Sequence, residues 1–486
     1  MSEEHRCEWR DRAESLEAEL ASLRATVEKL QRHVFGKRSE KMPRVADELR
    51  DPADAEAARL AALETREENA ALRRQLGTRR IEHKVAEAKK VCPRCGGREF
   101  TPLGEGKMTE LYELVAAQVE RQLHVQEKLR CRCGEAILTA DPPDKVFDKT
   151  RFGPTFMAQV AVAKCADSIP LYRQAKAYQR IGVPVNDSTL GDLFHATAEA
   201  SKVLYERLLA LIAADPLVLA DETTMPVQAK GKTRTAWIWD FIARDADGKD
   251  LIAYVYSKSR SGETPLRVLA NTLGKLLVDG YTAYNKVTLP GGRERAGCLA
   301  HARRKFFEAL ATAPAEAKRA MDFILELYRV ERAALEAGIA GTPAHLAIRQ
   351  ERSRPVMEAF RAWLDAEQDK HLPQGPMGVA IRYALNQWDA LKLFLTDPAL
   401  PLDNNRSESS LRICALGRKN FLFVGNDGAG ENLAALYSLI ATCEANGVNP
   451  VQYLADVLIR VQTHPASKLD ELLPHRWAPP EPLPSA

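Results

Sequence analysis

No run of about 18 consecutive apolar residues occurs in the chain, so no segment is apolar over the length a bilayer-spanning helix needs. The opening stretch, MSEEHRCEWRDRAESLEAEL, is charged throughout and lacks the apolar block of a secretory leader. The expected setting is therefore cytoplasmic, with no membrane partner. Also missing are the phosphate loop G-x-x-x-x-G-K-[ST] and a kinase-like motif set, which removes a nucleotide-driven step. A strong excess of one charge is absent too. The 69 lysines and arginines against 66 aspartates and glutamates leave +3, so affinity for nucleic acid must come from local basic clusters rather than a global field. Nine cysteines in 486 residues argue against a disulfide framework. Cys7, Cys165, Cys298, Cys414 and Cys443 stand alone and read as reduced thiols, whereas Cys92, Cys95, Cys131 and Cys133 fall in two close pairs.

What is present points to several domains, since the chain exceeds what one core organises and 45% of it is apolar. Trp9, Ala13, Leu16, Leu20, Leu23, Val27, Leu30 and Val34 recur in alternating steps of four and three, a heptad seam on which 1–35 reads as a dimerising coiled coil, the plainer alternative being an amphipathic helix lying on the protein's own body. Gly36 and Pro43 break the pattern, and 36–90 reads as a linker with a second helical stretch. Within 91–140, VCPRCGG and LRCRCGE supply C-x-x-C and C-x-C. Four thiolates can close a tetrahedral structural zinc site, and the glycines let the chain turn around the metal.

Residues 150–213 read as helices, with a turn at Gly182 and the cap-like Asn186-Asp187-Ser188. They form either a helix-turn-helix DNA-binding region or a helical spacer. After Pro216 come LVLADET, TAWIWDFIAR and LIAYVYSK, a helix from Glu263, KLLVDGY, then RAGCLAH running into ARRKFFEALAT, an α/β order. A helical block, 311–398, interrupts it before DNNRSESSLRICALG. A helical C-terminal domain, 417–465, and a Pro-rich disordered tail, 466–486, complete the chain.

Asp221 ends one strand, Asp279 ends another, and Glu408 lies on a helix that this order packs against the sheet. Strand ends are where such sheets present their sites, and three carboxylates of this kind can hold a pair of Mg²⁺ or Mn²⁺ ions. Taken singly each acid has a plainer reading: Asp-Gly is a common turn, and Glu408 could pair with Arg412 one helical turn on. Alternation cannot choose Asp221 over Glu222, because neighbours on a strand face opposite ways. Arg303, Arg304, Lys305, Arg412, Arg418 and Lys419, with Lys230, Lys232 and Arg234, are candidates for DNA phosphate contacts and equally for ordinary surface charge. In the helical block, Trp363 and Trp388 read as core, the sharper alternative being a Trp that stacks on an unpaired base beside Arg382.

From near its start to about residue 462 the chain resembles the transposases of the insertion sequence 66 family. The resemblance rests on FGKRSEK, CPRCGG, IPLYRQ, DET at 221–223, SRSGE, DGYTAY, C-x-AHARRKFFEA, IRYALNQWDALKLFL, DNN-x-x-E at 403–408, LGRKNFLFVG and NGVNPVQYLADVL. It implies a multidomain α+β protein: a coiled coil, a zinc-binding module, a retroviral-integrase-like RNase H catalytic domain over 214–416 with the helical insertion, and a small helical C-terminal domain. It maps the catalytic and Mg²⁺-binding triad onto Asp221, Asp279 and Glu408. The implied activity is metal-dependent cleavage and transfer of DNA strands at element ends, by at least a dimer and with small accessory proteins of the same element. The sequence departs from the family at Ser409, where an arginine is general, and at the tight C-x-C knuckle. The competing readings are an RNase H-like nuclease that cuts without joining, and a zinc- and coil-containing DNA-binding regulator with a degenerate catalytic fold.

Overall fold

The computed structural model describes residues 150–479 except Leu289, together with 119–130, 137–139, 143–148 and scattered positions between 45 and 71. The heptad seam and Cys92, Cys95, Cys131 and Cys133 lie outside the described residues. The chain divides into two compact units, 1–67 and 68–486, and everything below concerns the second. Its first described strands are β1 (Lys128–Arg130) and β2 (Ile137–Thr139), antiparallel with Arg130 opposite Ile137.

Four helices follow: α1 (Pro154–Cys165), α2 (Leu171–Arg180), α3 (Asp187–Ala200) and α4 (Lys202–Ala214). The Asn186 side chain caps α3 by accepting the Thr189 N–H at 2.8 Å, as its sequence signature promised. The chain then enters a five-stranded mixed sheet of order β5-β4-β3-β6-β7. Its strands are β3 (Leu217–Ala229), β4 (Lys232–Arg244), β5 (Asp250–Ser257), β6 (Lys275–Val278) and β7 (Glu294–Gly297). The first three form an antiparallel meander. Gly231 and Gly248, with φ of +71° and +76°, supply the left-handed residue in each of its two turns. Reversing to the parallel pairs β3–β6 and β6–β7 needs crossovers, which carry the helices α5 (Glu263–Leu269) and α6 (Asn285–Thr288).

Beyond the sheet the chain forms α7 (Leu299–Ala309), then the helical block α8 (Pro314–Glu336), α9 (Pro343–Ile348), α10 (Arg354–Glu367), α11 (Pro376–Asn386) and α12 (Trp388–Leu391). Last come α13 (Asn405–Ser410), α14 (Arg412–Phe421), α15 (Asp427–Ala445) and α16 (Pro450–Arg460). Each face of the sheet has its own core. One gathers residues of α1, α3, α4, α15 and α16; the other gathers Leu219, Ile242 and Leu277 with α7, α8, α10 and α11. The helices before the sheet and those after it therefore share one core, and neither the 150–213 stretch nor the 417–465 stretch is a body of its own.

α15 also seals the sheet edge. Ser438, Thr442 and Asn446, one helical turn apart, accept the Tyr254, Ile252 and Asp250 N–H groups of β5 at 2.8, 3.1 and 3.1 Å, so the edge strand has no open ladder there. The tail expected to be disordered from residue 466 is ordered through residue 479. Leu472 and Leu473 are buried, the Tyr453 hydroxyl donates to the Leu472 carbonyl at 2.9 Å, and Trp477 Nε1 donates to Asp456 at 2.7 Å. In the helical block, Phe323, Phe360 and Trp363 stack on one another, and Trp388, 9% exposed, meets Phe360 edge-on at 5.9 Å. Both tryptophans are thus core, and the base-stacking alternative for Trp388 is set aside because its ring is already packed. Among the described residues no helix is long and apolar enough to cross a membrane.

Candidate active site

The register of the central strands decides which acids meet. Leu217, Val218 and Leu219 of β3 pair with Lys275, Leu276 and Leu277 of β6; the ladder stops there, and Asp279 follows the end of β6 near enough for its charge to act on Asp221. On the other side β4 sets Asp240 opposite Asp221. Paired residues share a face, so Asp240 and Asp221 form a row across two strands on the face that α7 and the helical block cover, and Asp279, just past the end of β6, adds its charge to it.

The DNN-x-x-E segment lays its helix over this row. Asn404, fully buried, donates from Nδ2 to the carbonyl of Ala220 at 2.8 Å, and its N–H reaches Cys298 Sγ at 3.3 Å. The neighbouring Asp403 accepts the Tyr328 hydroxyl at 2.6 Å and the Asn405 N–H at 3.1 Å. With its start fixed to the residue before Asp221, α13 carries buried Ser407 toward Asp240 and Glu408 in its first turn. Glu408 is half-exposed and faces His301 of α7, Oε1 to Nε2, at 3.8 Å.

Burial is the main reason the Asp221 carboxyl is pushed up to about 7, and the charges of Glu222, Asp279 and Glu408 push the same way against the stabilising N–H of Glu222. Asp221, Asp279 and Glu408 thus belong to one electrostatic site. Asp240 is wholly buried, and that burial, then the charge of Asp221, hold its carboxyl well above the usual range. Its Oδ1 accepts the Asp221 N–H at 2.9 Å, and that N–H with the Ser410 and Ser407 hydroxyls works against the upward shift. Glu222 points to the opposite face. Its Oε1 accepts Arg260 Nε and Nη2 at 2.9 and 2.6 Å, and its Oε2 accepts the Tyr284 hydroxyl at 2.7 Å. Of the two adjacent acids, Glu222 is fully partnered, whereas among the described residues the only hydrogen bond to the Asp221 carboxylate comes from the next backbone N–H, at 2.8 Å.

The basic candidates separate by burial. Arg303 is 1% exposed inside α7, so the Arg-Arg-Lys run presents only Arg304 and Lys305 to solvent, both loosely beside Glu308 at 3.7 and 3.9 Å. Arg412 and Lys419 are exposed, as are Lys230 and Lys232. Arg418 braces α14 on β3 through Thr223 Oγ1 at 3.0 Å and Thr224 O and Oγ1 at 2.5 and 2.7 Å, and Arg234 pairs with Asp427. Ser409 lines an open cleft of about 360 Å³ with Ile242, Asp250, Ile252 and Arg406.

Several residues at the site escaped the sequence reading. Asp240 did carry a signal, a lone acid in the apolar strand WIWDFIA. Tyr383 of α11 did not: it comes from the helical block and lies so close to the Asp279 loop that a Cβ on Gly280 would sit 2.8 Å from its ring. Gly280 is therefore required for close approach, not for a left-handed turn. Arg295 of β7 steadies the same loop by donating to the carbonyls of Asp279 and Tyr281. Hard carboxylate oxygens suit Mg²⁺ or Mn²⁺, and a buried acid pushed up by its acidic neighbours is one that a cation would relieve. Among the described residues, however, no three His, Cys, Asp or Glu side chains already stand in a metal-holding cluster.

Fold and site together define a mixed α/β protein with an acidic centre at the ends of its middle strands, covered by a helix that brings another acid. Residues 149–432 match the Transposase IS66 family, 438–475 the IS66 C-terminal element, and 89–134 the zinc-finger binding domain of transposase IS66. Among curated proteins of Sinorhizobium fredii, "Uncharacterized protein y4hP" is 30% identical over 94% of this chain and 89% of its own. "Uncharacterized protein y4jD" is 34% identical over 80% and 78%, and "Uncharacterized protein y4qI" 32% over 79% and 74%. The chain belongs to the transposase IS66 family.

Proposed function

We propose that this protein is a DNA transposase that binds the ends of its insertion sequence and cuts and rejoins DNA strands with Asp221, Asp279 and Glu408. The observation that carries the reading is that the strands leading to Asp221 and Asp279 pair side by side in parallel while Asn404 ties the Glu408 helix to the first of them. A three-strand meander flanked by two parallel strands supports an RNase H-like catalytic domain.

The three carboxylates would hold Mg²⁺ or Mn²⁺, which when bound supplies Lewis acidity to the attacking hydroxyl and the leaving oxygen of the phosphodiester. The protein's own part is positioning and charge. Asp221 stands on a central strand, Asp279 on the loop that follows β6, and half-exposed Glu408 on its short helix is the arm that completes the set. Asp221, its carboxyl pushed up to about 7 mainly by burial, would have to be ionised to hold a cation. Arg304, Lys305, Arg412 and Lys419 face solvent and serve as phosphate contacts that set DNA position without reading sequence. Cys92, Cys95, Cys131 and Cys133 would bind one structural zinc, a reading supported by the zinc-finger match. The heptad seam joins two chains so that both element ends are held together, with small accessory proteins of the element as further partners.

The test is incubation of purified protein with labelled duplexes carrying the element's ends and Mg²⁺, scoring nicked and joined products separately. Nicks together with joined products are expected. Nicks that never join would reduce the protein to a nuclease, and binding with neither product would make it a regulator.

A further inference from the structure

The acidic row leaves a second group of motif residues without a role, on the other face of the sheet. Glu222 of DET, Arg260 of SRSGE, and Tyr281 and Tyr284 of DGYTAY are drawn together there. The Glu222 side chain is 1% exposed and grips Arg260 through Nε and Nη2, with the Tyr284 hydroxyl on its other oxygen. The Arg260 guanidinium lies over the Tyr281 ring at 4.0 Å and near the Trp237 ring at 4.9 Å, and the Tyr281 hydroxyl donates to the Arg260 carbonyl at 2.8 Å. Yet the arginine side chain is 42% exposed. Among the described residues its Nη1 has no acceptor, so a rigidly held guanidinium keeps one pair of N–H donors available.

Stability alone gives a poor account of this arrangement. Burying a carboxylate against a half-exposed cation is costly, and an apolar side chain in place of Glu222 would pack at least as well. Location gives a better one. Tyr281, the platform under Arg260, follows Asp279 by two residues and donates its N–H to Asp279 Oδ1 at 2.8 Å. Arg260 is thereby tied to the loop that carries one catalytic carboxylate. Because Glu222 and Asp221 face opposite ways, it stands across the sheet end from α13 and Glu408.

We propose that Arg260 is a phosphate clamp for the DNA strand in the active site, preset by Glu222, Tyr281 and Trp237 to take a phosphodiester next to the one that is cut. This rests on the reading of the protein as a transposase. A planar fork with fixed orientation matches phosphate oxygens better than a mobile lysine does, and a preset donor loses little freedom on binding. Glu222 is then a positioning residue acting through Arg260.

Arg260→Ala alone would strand a buried carboxylate and risk unfolding, so the test uses the full chain with the double variant Glu222→Gln, Arg260→Gln, which keeps net charge and polar pairing. Its binding to a fluorescein-labelled duplex carrying the element's end is followed against salt, beside the wild type, Glu222→Gln alone, and Glu222→Gln with Arg260→Lys. One lost phosphate contact lowers the slope of log K against log salt by about 0.9. That drop is expected in the Gln,Gln variant, at unchanged melting temperature, with the slope restored by Lys and unaltered in Glu222→Gln. A Gln,Gln variant that keeps the wild-type slope overturns the clamp while leaving the transposase reading intact. A wild type that does not bind the duplex overturns the transposase reading, and the clamp with it.

Discussion

Asn404 is the peg that sets Glu408 in place, and removing it gives a sharply defined outcome. Its Nδ2 donates to the Ala220 carbonyl at 2.8 Å in a fully buried setting, so Asn404→Ala leaves that carbonyl unpaired where water does not reach it. Such a loss costs about 1–3 kcal/mol. The structural consequence falls on α13, whose first turn depends on the Asn404 carbonyl accepting the Glu408 N–H at 3.2 Å. A shift of about 1 Å in a reacting group costs on the order of 100-fold in rate. Asn404→Asp is the informative comparison. It keeps the shape but sets a carboxylate oxygen against the Ala220 carbonyl, so it should be at least as damaging. Thermal unfolding, DNA binding by anisotropy and single-turnover cleavage of a labelled element end would be measured on each variant. Unchanged binding with cleavage reduced by about 100-fold is expected. Wild-type cleavage by a measurably destabilised Asn404→Ala protein would show that the bond holds the fold and not the site.

The remaining outcomes concern charge, packing and metal. The folded protein holds the Asp221 carboxyl at about 7, well above the ordinary carboxylate value of about 4, so the stability tied to its proton is fully present below about pH 4 and is lost as pH rises through 7. In EDTA, Asp221→Asn should therefore exceed the wild type by about 2–4 kcal/mol at pH 8 and match it near pH 4; a difference independent of pH would contradict this. Arg349, 1% exposed, bonds Glu331 and the carbonyls of Phe394, Asp397 and Leu400. Arg349→Met should cost about 3–5 kcal/mol and loosen α8 and α10 in hydrogen exchange, and an unaltered melting temperature would refute its role as the block's staple. Elemental analysis of protein purified without chelator should find one zinc per chain, lost on replacing Cys92 and Cys95 by Ser; no zinc in the wild type would sink the proposed thiolate site.

The sheet was legible because each apolar run ends in a recognisable signal, an acid or a glycine turn, and the run LVLADET to RAGCLAH gives its strands in order. What alternation could not supply was the face. Asp221 and Glu222 are told apart only by Arg260 and Tyr284, which arrive from distant parts of the chain. The burial of Arg303 was available from helical spacing, since it falls on the stripe of Leu299, Ala302 and Phe306, but the Arg-Arg-Lys run invited a reading by charge alone. α1 is apolar nearly all round, the mark of a helix buried on several sides, yet its partner α16 lies at the far end of the sequence, so the shared core could not be read locally. The ordered tail misled for a related reason: Pro content argued for disorder, while three residues, Leu472, Leu473 and Trp477, suffice to fasten it to α16.

The central claim is that Asp221, Asp279 and Glu408 act as one metal-dependent centre, and the most direct measurement compares cleavage of a labelled element-end duplex in Mg²⁺ by the wild type and by Asp221→Asn, Asp279→Asn and Glu408→Gln, with DNA binding followed in parallel. Each substitution removes charge from the centre and leaves the exposed basic residues untouched. The account predicts that all three variants bind the duplex and that none cuts it. Near wild-type cleavage by any one of them would remove that residue from the centre and contradict the account.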